Sequence, residues 1–494
     1  MATMTGTWSG HRAGAWRNEA RALASLAVPI VLTNVGQVAI QTTDVVMIGW
    51  LGPEALAASV LGVNVMFVLL LFSIGVVAAT APMVAQDLGR RRHAVREPRR
   101  TIRQGLWVAL ALGIPASLLL WNIAPLLHLF RQDPALIAAA EPYVHAAMWG
   151  FVPGLWFVVL RNFIASLERP RAGMVVTFVA VAFNALADYG LIFGAFGLPA
   201  LGLRGAGVAT AMTNAGMFLG LLAYVLLDRQ FRRFHILGRL WRPDWTRFLE
   251  IFRIGLPIGV TLVMEVGLFA TAGFLIGLIG TAQLAAHQIA LQCASVTFMV
   301  PLGLAQAATV RVGLGAGAGH APGVRRAGVT ALAMGGLFML AMATVMWTAP
   351  AAIVGLFIDT SDPANAAVVR AAVTFLAIAA LFQIFDGGQV IGAGALRGLK
   401  DTRWPMAFAA LAYWAVGMSL AVGLGFGLGW GGLGIWIGLA AALAVAAFLM
   451  VARFMALQRR LAAGAPASLR TPRSHRLSGA PQSGELQTRP EPSC

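Results

Sequence analysis

The sequence predicts an all-α polytopic membrane protein, with twelve transmembrane helices in two six-helix lobes related by a parallel internal repeat. Three observations carry that expectation. Apolar blocks of membrane-spanning length recur along the chain, basic joints alternate with non-basic ones between them, and the second half repeats the first.

Hydrophobic residues make up 59% of the 494 residues and charged residues 11%, against about 45–50% and ~25% in a soluble domain. The apolar residues come in blocks long enough to span hydrocarbon as helices. The net charge of +17 does not point to nucleic acid, because Lys and Arg stand at helix ends, in alternate joints and in the C-terminal stretch rather than on a soluble basic domain. The two cysteines, Cys293 and Cys494, suggest neither a disulfide framework nor a metal site. No short apolar core with a small-residue cleavage site opens the chain, so the first span is expected to be retained.

The helices are expected at 22–48, 55–87, 104–127, 136–166, 173–196, 205–228, 248–279, 283–313, 327–347, 364–396, 404–427 and 432–457. Loop charge tests that count. The joints GRRRHAVREPRRTIR (89–103), ERPR (168–171), RQFRRFHILGRLWRPDWTR (229–247), RR (325–326) and RGLKDTR (397–403) are basic, and a count of twelve puts all five on one side. The opposite joints hold two arginines, Arg131 and Arg204. Both termini are therefore expected in the cytoplasm, in a cytoplasmic (inner) membrane. The expected organisation is an N-lobe over 1–228, a cytoplasmic linker over 229–247, a C-lobe over 248–457 and a disordered cytoplasmic tail over 458–494.

Residues 29–59 align with 257–287 at an offset of 228, pairing Pro29 with Pro257, Thr33 with Thr261, Gly49 with Gly277 and Gly52 with Gly280. LGLRGAG (201–207) resembles LGWGGLG (428–434) at an offset of 227. Chance likeness between Gly- and Leu-rich helices is the competing account, and an offset held over 29–59 argues against it. Six helices per copy is an even number, so both copies enter from the same side. Internal repeats with a site between or within the halves mark transporters.

Four acids fall inside predicted spans: Asp44, Asp188, Glu265 and Asp386. Intramembrane carboxylates face a bundle interior or a wet cavity and mark ion paths. Depth groups Asp44 with Asn184, Asp188 and Thr210 in the outer part of the first half, and the spacing of Asn184 and Asp188 puts both on one helical face. Two carboxylates, an amide oxygen and a hydroxyl suit Na⁺ or a shared proton. The rival reading leaves Asp44 in interfacial water. Glu265 and Asp386 lie mid-span with no obvious cation on their own helices, so they should be protonated or cation-bound. A neutral structural carboxyl is the alternative there. His287 reads as a local hydrogen-bonding residue. Pro29 lies within the first span, where a lost backbone bond allows bending. GAGAG (315–319) lacks the Gly-Lys-Ser/Thr ending of a phosphate loop.

PIGVTLVMEVGLFATAGFLIGLIGTAQLAAHQIALQCASVTFMVPLGLAQAATVRVGLGAG resembles the seventh and eighth helices of the multidrug and toxic compound extrusion (MATE) family, NorM-like branch. FQIFDGGQVIGAGALRGLKDTRWPM (382–406), TTDVVMIGWLG (42–52) and FNALADYGLIFGAFGLPALGLRGAGVATA (183–211) are similar to its tenth, first, and fifth and sixth helices. The resemblance implies outward export of organic cations and drugs in exchange for inward Na⁺ or H⁺, with no cofactor. It implies a first-lobe cation site at Asp44, Asn184, Asp188 and Thr210 and a second-lobe site at Glu265 and Asp386. Some relatives carry a tyrosine one turn before the tenth-helix acid, where this chain has Phe382. Gln37, Gln41, Gln288, Phe382 and Gln389 are the expected substrate-cavity residues, and Pro29 the expected hinge.

The expected function is thus a secondary antiporter of cationic or amphiphilic compounds. It would work as a monomer in the lipid bilayer, bind no nucleic acid, and hold no metal beyond Na⁺ at the coupling residues. A flippase for lipid-linked oligosaccharides is the first rival. It would favour a basic cavity, for which Arg161 is the main candidate. A channel is the second. An enzyme is not expected, since no nucleophile–base pair or metal cluster is recognisable.

Overall fold

The computed structural model describes residues 12–91, 93–238 and 240–463. Most of the expected disordered tail lies outside the described residues. The twelve spans are α1 Gly14–Gly49, α2 Pro53–Arg90, α3 Arg96–Trp121, α4 Pro134–Ser166, α5 Arg171–Phe193, α6 Leu203–Leu227, α7 Trp245–Ile279, α8 Thr281–Gly317, α9 Ala321–Thr348, α10 Pro363–Gly398, α11 Arg403–Gly427 and α12 Gly432–Ala462.

Four helices depart most from their expected ends, and one of them, α3, expected at 104–127, runs from Arg96 to Trp121 and takes in part of the basic joint 89–103. α1 starts well before residue 22, because Ala15, Glu19, Leu23 and Leu26 form one buried stripe. α9 starts at Ala321, behind a His320 cap whose Nδ1 accepts from the Gly323 amide. α12 continues through residues 458–462, which the sequence assigns to the tail, with Leu457 and Gln458 still buried. Prolines account for two irregularities. In α2 the helix breaks at Ala78–Ala79, where Pro82 has no N–H for the Ala78 carbonyl. In α4 a tight turn at Met148–Gly150 precedes Pro153, which leaves the Trp149 carbonyl without its usual donor. The 229–247 linker is packed rather than loose: Phe231, Phe234 and Ile236 are buried in the first half's core, with Phe234 edge-on to Phe163.

The repeat is visible in local geometry. Thr33 Oγ1 donates to the Pro29 carbonyl at 2.7 Å, and Thr261 Oγ1 to the Pro257 carbonyl at 2.8 Å. Gly202 (φ 55°, ψ −134°) caps α6 as Gly431 (φ 59°, ψ −139°) caps α12. These glycines are 229 apart, so the offset of 227 read from the letters is corrected by two. The residues that match in space are those with the left-handed φ that glycine tolerates.

Two apolar cores form, one from residues 40–258 and one from residues 268–457. A third, smaller cluster joins the halves, with Leu23, Leu26 and Ile30 against Leu304, Ala307, Val310 and Ile391. These joining contacts lie toward the end that carries the basic joints, called here the basic end. Gly75 of α2 faces Gly259 of α7, and a Cβ on Gly255 would overlap the Val76 carbonyl. A Cβ on Gly317 of α8 would overlap Gln86. Backbones this close need small residues, as membrane helix interfaces generally do.

Ion pairs lock the same end. Arg311 of α8 donates to both oxygens of Glu19 of α1 (2.8 and 2.6 Å) and to Glu168. Arg247 of α7 meets Glu97 at 2.7 Å and Asp87 at 3.3 Å, and Arg100 meets Asp244 at 2.6 Å. Gln86 Nε2 donates to the Gly398 carbonyl at 2.8 Å.

The helix faces that touch at the basic end are uncovered further along. Val31 of α1 lies against Gly303 of α8. At three- and four-residue spacing on the same face of α1, Val35, Val38, Thr42 and Val45 are exposed. On α8 the matching residues are Val296, Gln292, Gln288 and Ala285. α2 exposes Val68, Asn64 and Ala57 in line with Gly75, and α7 exposes Ala270, Phe274 and Gly277 in line with Gly259. The halves therefore diverge from the basic end, and a cleft opens between them at the far end.

Gly255→Val is expected to destabilise the folded chain by about 1–3 kcal/mol through forced overpacking, read as a lower melting temperature in detergent. Gly216→Val, where a Cβ meets open space, should leave the melting temperature close to that of the parent.

Candidate functional site

In the first half, α1, α5 and α6 bring four polar side chains together. Asn184 Nδ2 donates to Asp44 Oδ1 at 2.9 Å, and Thr210 Oγ1 donates to Asp44 Oδ2 at 3.2 Å. Asn184 and Asp188 are fully buried, while Asp44 and Thr210 are half-buried at the wall. The Asp188 oxygens and Asn184 Oδ1 have no donor among the described residues. Three orphan acceptor oxygens beside a second carboxylate form an electron-rich pocket. Buried acceptors without donors are costly, and a small cation or a proton shared with Asp44 would satisfy them. Tyr143 of α4, buried within electrostatic reach of both acids, completes this wall. Sequence reasoning misses it, because nothing in its own helix ties it to Asp44.

In the second half, α7 supplies Glu265 and α10 supplies Asp386, close enough to repel each other when both are charged. Asp386 is buried with Oδ1 unpartnered, and Glu265 is half-buried. Gln389 Nε2 donates to the Tyr413 hydroxyl at 2.8 Å, and Gln389 Oε1 has no donor. Arg397 reads in the letters as part of a loop, which leaves Glu265 without a cation in view. It belongs to α10 instead, and its guanidinium interacts favourably with Glu265. His287 makes none of its expected hydrogen bonds. Both ring nitrogens are buried and unpartnered, and the ring stands edge-on to Trp436 at 5.5 Å.

The five substrate-cavity candidates divide. Gln37 lines a cavity of about 70 Å³ in the first half, with Met66, Leu70, Asn214 and Met217. Gln41 and Gln288 are exposed on the spans that border the cleft. Phe382 and Gln389 do not line it, as each is 1% exposed. Phe382 is held between Phe269 and Trp436, at ring distances of 5.9 and 5.7 Å, and Gln389 is turned to Tyr413. Pro29 lies inside a continuous α1. Among the described residues, no three His, Cys, Asp or Glu side chains are grouped to hold a metal ion.

The MatE family model matches residues 29–189 and 257–422, one stretch in each half. The chain is 50% identical over 405 residues to "Probable multidrug resistance protein NorM" of Mesorhizobium japonicum, covering 82% of this chain and 87% of that one. It is 41% identical to the protein of that name from Pseudomonas aeruginosa, covering 82% of each. Among solved structures, it resembles the eukaryotic MATE transporter AtDTX14 (TM-score 0.78, 20% identity, 90% of this chain and 99% of that one). It also resembles a mutant form of the Vibrio cholerae MATE transporter VcmN (TM-score 0.81, 17% identity, 90% and 98%). These two structural likenesses establish the fold.

Tyr413→Phe strands the Gln389 amide beside its already unpartnered oxygen, an expected loss of about 1–3 kcal/mol. Adding Gln389→Leu removes the stranded group, so the double variant should melt above Tyr413→Phe alone in a thermal-shift series.

Proposed function

The chain belongs to the MATE family, and from that premise we propose that it is a secondary antiporter exporting cationic or amphiphilic organic compounds against inward Na⁺ or H⁺. One observation carries this reading: each half holds a carboxylate cluster with unpartnered oxygens, and α1 and α7, which supply Asp44 and Glu265, border the cleft between the halves. The basic end is cytoplasmic by the positive-inside rule, which puts both termini in the cytoplasm and the cleft mouth outside. The membrane is the inner one, and a monomer suffices, since each site is built within one chain.

Each cluster has two alternative partners, the entering cation and the leaving organic cation. Occupancy by one disfavours the other, and this exchange couples the flows. At −100 mV an entering charge supplies about 2.3 kcal/mol, enough for roughly fifty-fold accumulation of a neutral solute. Glu265 and Asp386 form one cation site, and Asp44, Asn184, Asp188 and Thr210 the other. Gln37, Gln41 and Gln288 contact the substrate, and no cofactor or enzymatic step is needed. Pro29 allows α1 to bend when Asp44 changes partner. The flippase alternative needs a cavity rich in cations, whereas the cluster oxygens here are acceptors awaiting one.

Asp386→Asn and Glu265→Gln are each expected to abolish ethidium efflux from cells at normal membrane abundance, and unchanged efflux in either would count against the assignment. Imposing a Na⁺ gradient and a pH gradient separately on proteoliposomes identifies the coupling ion, since only one should drive dye uptake. Equal transport by Pro29→Ala would remove the hinge.

A further inference from the structure

The 229–247 linker, packed against α3 and the end of α6, borders an open cavity that neither carboxylate cluster uses. It holds about 230 Å³, and its lining includes Val225, Leu226, Phe231, Arg232, His235 and Ile236. Its floor is apolar, since Val225, Phe231 and Ile236 are buried. Its rim carries Arg232 and His235, both exposed. Arg103 of α3 braces the linker from below, with Nε donating to the Ile236 carbonyl at 3.2 Å. Arg99, one turn earlier on the same face of α3, has a buried Nε that meets no acceptor.

The nearby acids are engaged elsewhere. Asp228 Oδ1 accepts from the Gln230 amide at 2.8 Å, and Asp244 Oδ2 accepts from Arg100 at 2.6 Å. Neither Arg232 nor Arg99 forms an ion pair among the described residues. Tryptophans mark the depth. Trp241 and Trp245 are exposed, and Trp107 Nε1 donates to the Leu240 carbonyl at 2.9 Å. Tryptophans collect at the headgroup level of a bilayer. Leu226, Leu227 and Leu237 are exposed beside the cavity, an apolar margin next to the cationic rim.

We propose that this cavity binds an anionic phospholipid from the leaflet at the basic end, with the phosphate at Arg232 and His235 and the first acyl carbons along Leu226 and Leu237. A guanidinium fork matches phosphate oxygens, and basic pockets beside membrane spans on the cytoplasmic side suit anionic headgroups. A free phosphate satisfies the cations but leaves the leucines in water, so the apolar margin selects the lipid. A bound lipid tethers to the bilayer the linker that connects the two halves along the chain. The site lies apart from both carboxylate clusters and does not depend on the exporter reading.

The test is equilibrium binding of two lipids to the purified full chain in detergent micelles, read as energy transfer from tryptophan. One is phosphatidylglycerol with a dansyl group on its acyl chain, and the other is phosphatidylcholine labelled the same way. The wild-type chain should bind phosphatidylglycerol about fivefold more tightly or better, the weight of one cation beside an anionic headgroup. Arg232→Gln combined with His235→Asn should remove that preference; asparagine tolerates the left-handed φ of 43° at His235. Arg325→Gln, which removes an exposed charge from α9 in the other half, should keep it. Unlabelled phosphatidylglycerol should displace the label, and inorganic phosphate at matched ionic strength should not. Equal affinity of the wild-type chain for the two lipids overturns the proposal even if no variant folds. So does a preference that survives the double variant, a loss just as large in Arg325→Gln, or displacement by inorganic phosphate.

Discussion

A carboxylate removed from water must be given a proton, a cation or a set of donors, and this chain withholds the donors. Asp188 is fully buried with both oxygens unpartnered, and Asp386 has one oxygen in the same state. Neighbouring acids, Asp44 and Glu265, are only half-buried. Elsewhere in the protein, charges are treated differently. Glu19 is as buried as Asp188 but holds Arg311 through two hydrogen bonds. The contrast separates acids that fasten the fold from acids whose oxygens no donor holds.

The fastening lies at one end. Glycines on α2, α7 and α8 let the two halves meet backbone to backbone, and Arg311, Arg247 and Arg100 cross the joints there. Breaking a buried pair by removing one partner costs about 3–5 kcal/mol, so this end opens only if its charges find new partners or water as they separate. Toward the other end the same helix faces carry Val38, Val45, Val296 and Phe274 into the open. One rigid-body rocking of half against half would exchange the closed end for the open one, as in other transporters built on repeats.

Much of this is legible in the letters. The span count follows from apolar length, which the bilayer constrains directly, while the ends do not, since helices such as α1 and α3 start inside stretches whose charges read as joint. The first cluster is legible because Asp44, Asn184, Asp188 and Thr210 share a depth, and depth is a one-dimensional quantity that sequence position supplies. Tyr143 shares that depth too, but its approach to the two acids depends on how α4 packs against α6 and α2, which depth does not give. Arg397 looks like loop because Gly398 and Lys400 follow it, yet α10 runs through it. Phe382 and Gln389 are misjudged because a helix position does not say which neighbour covers it, and here Trp436 and Tyr413 do. The Gly202–Gly431 match slips by two residues because backbone handedness is not written in a glycine-rich string.

The central claim is that the basic end and the far end open in opposition, driven by what occupies the carboxylates. It is tested most directly by paired spin-label distances in a cysteine-free background. One label pair, at Arg90 and Arg325, spans the basic end, and another, at Glu54 and Thr281, spans the far end; all four positions are exposed. Replacing a saturating small cation with a saturating organic cation should lengthen the first distance and shorten the second together. Distances that shift in the same direction, or that ignore the exchange of ligands, would contradict the account.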